Sequence, residues 1–286
     1  MSTDSHISSS HGVSLAIHDY NPDSPSSTVL FSHATGFHGR VFDPVASFMT
    51  ATNHCITFDF RGHGDSACEP DWQVEWVSYG DDALAVARHA AHNGQIIGAG
   101  HSMGGTALVM AALREPQLFR ALVLFEPIIF PPATPDQPRG GPSPLVEGAR
   151  RRRAVFASFG EALANYSSKP PLNIFDAAAL RAYVMFGFGP QPDGSVALRC
   201  MPEHEARTYE TGASHETWNE LGKLAVPTWV ISGADLPMSP ASIAPSVAAQ
   251  IPNAIFVRHE QLTHFGPMQD PLMFVESVRT ADSATR

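Results

Sequence analysis

The sequence predicts an α/β domain: a mostly parallel central sheet with flanking helices, interrupted by an inserted helical cap. Three observations carry this. Short β-branched runs alternate with helical stretches along the first 130 residues, the order that builds a parallel sheet. Some runs are continuously apolar, as strands buried on both faces must be. The alternation then stops after Phe130, gives way to helical texture, and resumes at Val226. The core is therefore expected over residues 1–130 and 222–286, and the cap over 131–221.

Taken in order, Val13 to Tyr20 and Ser27 to Ser32 have strand composition and are followed by a turn through Thr35 and Gly36. Cys55 to Phe60 is a third strand, ending at Arg61-Gly62-His63-Gly64. Val77 to His92 carries apolar residues at helical spacing. Gln95 to Ala99 is a short strand, Gly104 to Leu113 an Ala-, Leu- and Met-rich helix, and Ala121 to Phe125 a wholly apolar strand. Pro131 to Pro144 is too dense in Pro and Gly for helix or central strand. Beyond the cap, Val226 to Ile231 and Ala254 to Val257 are strands, and a last helix runs near Pro271 to Arg279.

Composition narrows the function classes. With 43% apolar and 16% charged residues, the 286-residue chain has enough apolar material for a full core. A formal charge of −10 argues against a nucleic-acid partner, which calls for a basic face. No stretch approaches the roughly 20 apolar residues of a membrane span, and polar, Ser-rich Met1 to His11 is unlike a signal peptide. Cys55, Cys68 and Cys200 are too few and scattered for a disulfide framework, so a reducing, cytoplasmic setting is expected.

Gly100-His101-Ser102-Met103-Gly104 matches G-x-S-x-G between a strand and a helix. A nucleophile on so sharp a turn requires small residues two before and two after it, which Gly100 and Gly104 supply. Together with Phe58-Asp59-Phe60-Arg61-Gly62-His63-Gly64-Asp65-Ser66, this motif resembles the α/β-hydrolase superfamily, from about Val13 to the C-terminal helix. The resemblance implies an α/β-hydrolase fold, Ser102 as nucleophile, and His264, after the last strand, as general base. His259 is a rival that ends the strand. It also implies an oxyanion hole from the backbone N–H groups of Met103 and Thr35, the latter in Ser32-His33-Ala34-Thr35-Gly36-Phe37. Asp59, Arg61 and His63 belong by the same resemblance to a scaffold loop. His33 is expected to be structural, and His38 to face substrate or solvent.

Two carboxylates compete for the third role. The family's usual acid follows the strand Thr228 to Ile231, where this chain has Gly233-Ala234-Asp235-Leu236-Pro237. The aligned position is Leu236, and Asp235 falls one residue early. Glu126 follows the apolar strand ending at Phe125, and fungal zearalenone lactone hydrolases of the superfamily place a Glu acid there. Glu126 is preferred and Asp235 is the second candidate.

The expected activity is hydrolysis of a carboxylic ester or lactone through an acyl-serine intermediate, without metal or cofactor. The cap aromatics Phe156, Phe159, Tyr166, Phe175, Tyr183, Phe186 and Phe188, with Met185, suggest an apolar or aromatic small-molecule substrate, although most suit the cap's own core. Arg150 to Arg153 form a solvated helix face or attract an anionic substrate. Glu203, His204 and Glu205 lack a metal-ligand context. Carbon–carbon bond hydrolysis, acyl transfer and a non-enzymatic ligand receptor remain alternatives on the same fold.

Overall fold

A computed structural model describes residues 2–21, 23, 27–69, 71–134, 143–236 and 239–286. In chain order the first part forms β1 (Thr3–Ser8), β2 (Ser14–Tyr20), β3 (Thr28–Ser32), α1 (Asp43–Ser47), β4 (His54–Phe58), α2 (Trp76–Ala90), β5 (Ile96–His101), α3 (Met103–Arg114) and β6 (Phe119–Phe125). The inserted segment contributes α4 (Pro144–Arg150), β7 (Val155–Phe156), α5 (Phe159–Ser167), α6 (Ala177–Gly187), β8 (Phe188–Pro190), β9 (Val196–Leu198), α7 (Pro202–Glu210) and α8 (Thr217–Glu220). The chain then returns through β10 (Thr228–Ser232), α9 (Ala244–Gln250), β11 (Ile255–Arg258), α10 (Gly266–Gln269) and α11 (Pro271–Ala284).

Among the described residues one eight-stranded sheet runs in the order β1-β2-β4-β3-β5-β6-β10-β11. The pairs β1–β2 and β2–β4 are antiparallel, and every later neighbour is parallel. Side-chain alternation divides each strand between two cores. Val29, Phe31, Ile97, Ala99, Val123 and Trp229 pack with α1, α11 and the insertion. Leu30, Ile96, Leu122, Leu124 and Val230 pack with α2, α3 and α9 on the other face. The parallel strands end together at one rim, where an open α/β sheet places its ligand crevice.

Three features go beyond the sequence expectations. The polar segment Thr3–Ser8 is an edge strand, paired through its backbone although nearly all its side chains are exposed. A short helix, α9, fills the connection to β11. The insertion is not purely helical, because β7, β9 and β8 form a small antiparallel sheet within it. Most of the Pro- and Gly-rich stretch expected between Pro131 and Pro144 lies outside the described residues, as does Pro237. No helix among the described residues is long and apolar enough to cross a membrane.

Candidate active site

Ser102 stands between β5 and α3 with φ 57° and ψ −121°, in backbone that L-residues rarely adopt. Its N–H donates to the Phe125 carbonyl at 2.9 Å, which ties the turn to the end of β6. The flanking glycines have steric reasons. A Cβ on Gly100 would lie 2.6 Å from Gly105 Cα, and one on Gly104 would lie 2.2 Å from the Ser32 carbonyl oxygen. The helix can therefore start at this angle only with hydrogen at both positions. Strain of this kind costs on the order of 1–3 kcal/mol and persists where surrounding contacts over-determine it.

His264 follows β11 in the loop before α10, with its side chain 22% exposed. Its Nε2 lies 3.2 Å from Ser102 Oγ and its Nδ1 lies 2.6 Å from Glu126 Oε2. Glu126 is fully buried and itself holds a positive φ of 45°. Its Oε1 accepts the Gly233 N–H at 2.8 Å, and Oε2 also accepts from Ser239 Oγ at 3.4 Å. An ionised carboxylate only accepts hydrogen bonds. Nδ1 therefore carries the imidazole proton, and the Nε2 lone pair faces the Ser102 hydroxyl. The Gly233 backbone N–H and the Ser239 hydroxyl thus orient the Glu126 carboxylate toward His264 Nδ1.

Asp235 lies elsewhere. It is exposed and makes no hydrogen bond to His264 among the described residues. The Gly233 N–H in its own turn is directed at Glu126 instead. Leu236, the aligned position, is 47% exposed. His259 continues the strand ladder, its N–H bonded to the Ser232 carbonyl at 2.9 Å.

Thr35 and Met103 come together: Thr35 Oγ1 is 3.4 Å from Met103 Sδ. Within the loop after β3, Gly36 N–H donates to His63 Nε2 at 3.1 Å and Phe37 N–H to the Ala34 carbonyl at 3.1 Å. Those two amides are committed to holding the loop. Met103 N–H opens α3, where the helix dipole favours developing negative charge.

The surrounding histidines and the scaffold loop have structural partners. His33 accepts the Phe60 N–H at Nε2 and donates to the Ala34 carbonyl from Nδ1, and burial pushes its pKa down to about 4. His63 is likewise buried, bonded to Gly36 N–H and the Arg61 carbonyl, and pushed well down by burial. Asp59 accepts the N–H groups of Gly39 at 2.6 Å and Asp65 at 2.7 Å. Burial raises its carboxyl pKa, but the hydrogen bond and charge of His18 outweigh this and hold it low. Arg61 forms a buried two-pronged pair with Asp82.

Two expectations for exposed groups are corrected. His38 does not face solvent: it is buried, donating from Nε2 to the Tyr183 carbonyl at 3.2 Å beneath the insertion. In the Arg150 to Arg153 run, Arg151 is a solvated side chain, but Arg152 turns inward to Glu205, Tyr166 and Tyr183. Sequence alone could not separate them, because α4 ends at Arg150 and helical spacing stops applying there. Glu203, His204 and Glu205 point to different partners, namely Arg150 with Arg207, Tyr79, and Arg152.

The insertion closes over this rim through aromatic contacts. Phe37 stacks on Phe265, beside His264, with centroids 6.1 Å apart. Phe175 meets both rings at 6.0 and 5.5 Å, and Tyr183 meets Phe37 edge-on at 5.2 Å.

Comparison with known proteins agrees with this architecture. A 115-residue stretch is 30% identical to a monoglyceride lipase homolog of Monkeypox virus, covering 39% of this chain and 42% of that protein. A 98-residue stretch is 34% identical to 2-(acetamidomethylene)succinate hydrolase of Mesorhizobium japonicum, covering 34% of each. The chain thus matches less than half the length of these curated relatives. A crystal structure of E-2-(acetamidomethylene)succinate hydrolase superposes with a TM-score of 0.79 at 20% identity, over 99% of this chain and 100% of that one. The alpha/beta hydrolase family model matches residues 29–277. That span is most of the chain, and the protein belongs to the alpha/beta hydrolase family.

Proposed function

We propose that this protein is a serine hydrolase that cleaves a carboxylic ester or lactone through an acyl-Ser102 intermediate. The observation that carries the reading is the bridging position of His264, 3.2 Å from Ser102 Oγ and 2.6 Å from Glu126. A serine hydroxyl is a weak nucleophile until a base takes its proton. Here His264 Nε2 accepts that proton as Oγ attacks the carbonyl carbon, and Glu126 stabilises the imidazolium that forms. The carbonyl oxygen, now an oxyanion, is held by the N–H groups of Met103 and Thr35. His264 then returns the proton to the leaving alcohol, activates water, and the acyl group departs as a carboxylic acid.

The aromatic wall of Phe37, Phe175, Tyr183 and Phe265 favours an apolar or aromatic group on the substrate. In a lactone both products remain one molecule, and an acid after β6 is the arrangement that resembles the lactone hydrolases. The free thiols Cys55, Cys68 and Cys200 agree with work in a reducing, cytoplasmic setting.

The test is turnover of aryl and alkyl esters and of aromatic-fused lactones, with products identified by mass. Acid plus alcohol, or a ring-opened hydroxy acid, with loss of turnover in Ser102→Ala, is the expected result. Carbon–carbon cleavage or acyl transfer to an added alcohol as the dominant reaction would overturn the ester assignment. Ligand binding without any turnover would overturn the enzymatic one.

A further inference from the structure

Helix α7 of the insertion rests directly on the loop that carries Thr35. A Cβ on Gly36, the next residue, would lie 2.6 Å from Glu205 Oε1. Gly36 has φ +77° and its N–H is already held from the core side by His63 at 3.1 Å. The loop is therefore pinned at one residue between core and insertion. A second grip falls on the following residue, where Tyr183 packs edge-on against Phe37 with centroids 5.2 Å apart.

One arginine joins the two grips. Arg152 Nη1 donates to Glu205 Oε2 at 2.6 Å, and Nη2 donates to the Tyr183 hydroxyl and, at 3.3 Å, to that of Tyr166. Glu205 Oε1 also accepts from the Tyr209 hydroxyl at 3.2 Å. The result is a closed circuit: Gly36, Glu205, Arg152, Tyr183, Phe37. A largely buried ion pair adds little net stability over an apolar replacement. Its geometric consequence is larger, because neither charge can shift without losing its partner. Arginine also stays charged at any working pH and its planar fork spans both partners at once, which lysine cannot do.

We infer that Arg152 and Glu205 are positioning residues, which hold the Thr35 N–H at the oxyanion through this circuit. The insertion is then part of the catalytic geometry as well as a cover. The inference rests on the proposed acyl-serine chemistry, since Thr35 matters only where an oxyanion forms.

The test uses the full chain, an ester substrate, and three variants checked for folding by near-ultraviolet circular dichroism. Arg152→Met leaves Glu205 buried without its partner, so the double variant Arg152→Met/Glu205→Leu removes both charges while keeping bulk. Arg152→Lys keeps a charge for Glu205 and gives up the tyrosines. In the folded double variant kcat is expected to fall about tenfold or more, as misplaced oxyanion donors require. KM should change by a smaller factor than kcat, because the aromatic rings that meet the substrate keep their packing while the Thr35 amide is released. The apparent pKa of the kcat profile should not move, since His264 and Glu126 are intact. Arg152→Lys should fall between wild type and the double variant. A folded double variant with wild-type kcat, or one altered only in KM, overturns the inference. If wild type neither turns over esters nor is labelled at Ser102 by a phosphonate, the proposed function itself fails and this inference falls with it.

Discussion

Two neighbouring parallel strands of the core each end beside a carboxylate: β6 is followed by Glu126 and β10 by Asp235. Glu126 is fully buried, with its two oxygens bonded to His264, Gly233 and Ser239. Asp235 lies in the turn that donates one of those bonds, yet its own side chain is exposed. The turn after β10 therefore serves the carboxylate of the strand beside it. What separates the two is direction and burial, set by a positive φ at Glu126 and by one residue of offset at Asp235. A strand-end carboxylate is a candidate by position, but only the turn's geometry decides whether it meets the imidazole.

The largest expected effect of breaking this contrast is in Glu126→Gln. An amide keeps the shape but can present a donor to Nδ1, favouring the wrong tautomer, so kcat should fall about 10³- to 10⁴-fold. Steady-state kinetics on an activated ester checks this. Sharpening the contrast means moving the acid. In the Glu126→Gln background, Leu236→Asp places a carboxylate at the aligned position after β10. About a tenfold recovery of kcat is expected; no recovery would show that this turn cannot aim a side chain at His264.

The histidines offer a similar contrast in stability. His264 is partly exposed, whereas His33 and His38 are sealed, each pushed down to about 4 by burial. In the unfolded chain each binds a proton below about 6.5. Between those values acid favours the unfolded state, so their contribution is complete above pH 6.5, declines as pH falls, and levels below pH 4. Each should contribute about 1.4 kcal/mol per pH unit within that window. Urea midpoints at pH 7, 6 and 5 measure the slope, and His33→Gln should flatten it. The smallest expected effect is in Asp235→Asn, within about twofold of wild-type kcat, as for an exposed side chain outside the site.

The parallel core was legible because its strands announce themselves. Val29 to Phe31 and Ala121 to Phe125 are apolar throughout, and only a doubly covered sheet explains that. Ser102 was legible because Gly100 and Gly104 are sterically forced. The N-terminal strand was not, since Thr3–Ser8 is held by backbone pairing and buries almost nothing. The inward turn of Arg152 was hidden for a different reason: it follows the end of α4, and its partners Tyr183 and Glu205 lie 31 and 53 residues further on. Contacts of that range leave no local pattern. The contest between Glu126 and Asp235 was visible as a pair of candidates, but their geometry depends on φ, which composition does not encode.

The most direct measurement is the rate of covalent labelling by a small serine-reactive phosphonate, followed by intact mass in wild type and in folded Ser102→Ala. Stoichiometric labelling of wild type, absent in Ser102→Ala and slowed by orders of magnitude in Glu126→Gln, is the predicted result. Labelling that survives Ser102→Ala, or a folded wild type that does not label at all, would contradict an activated Ser102.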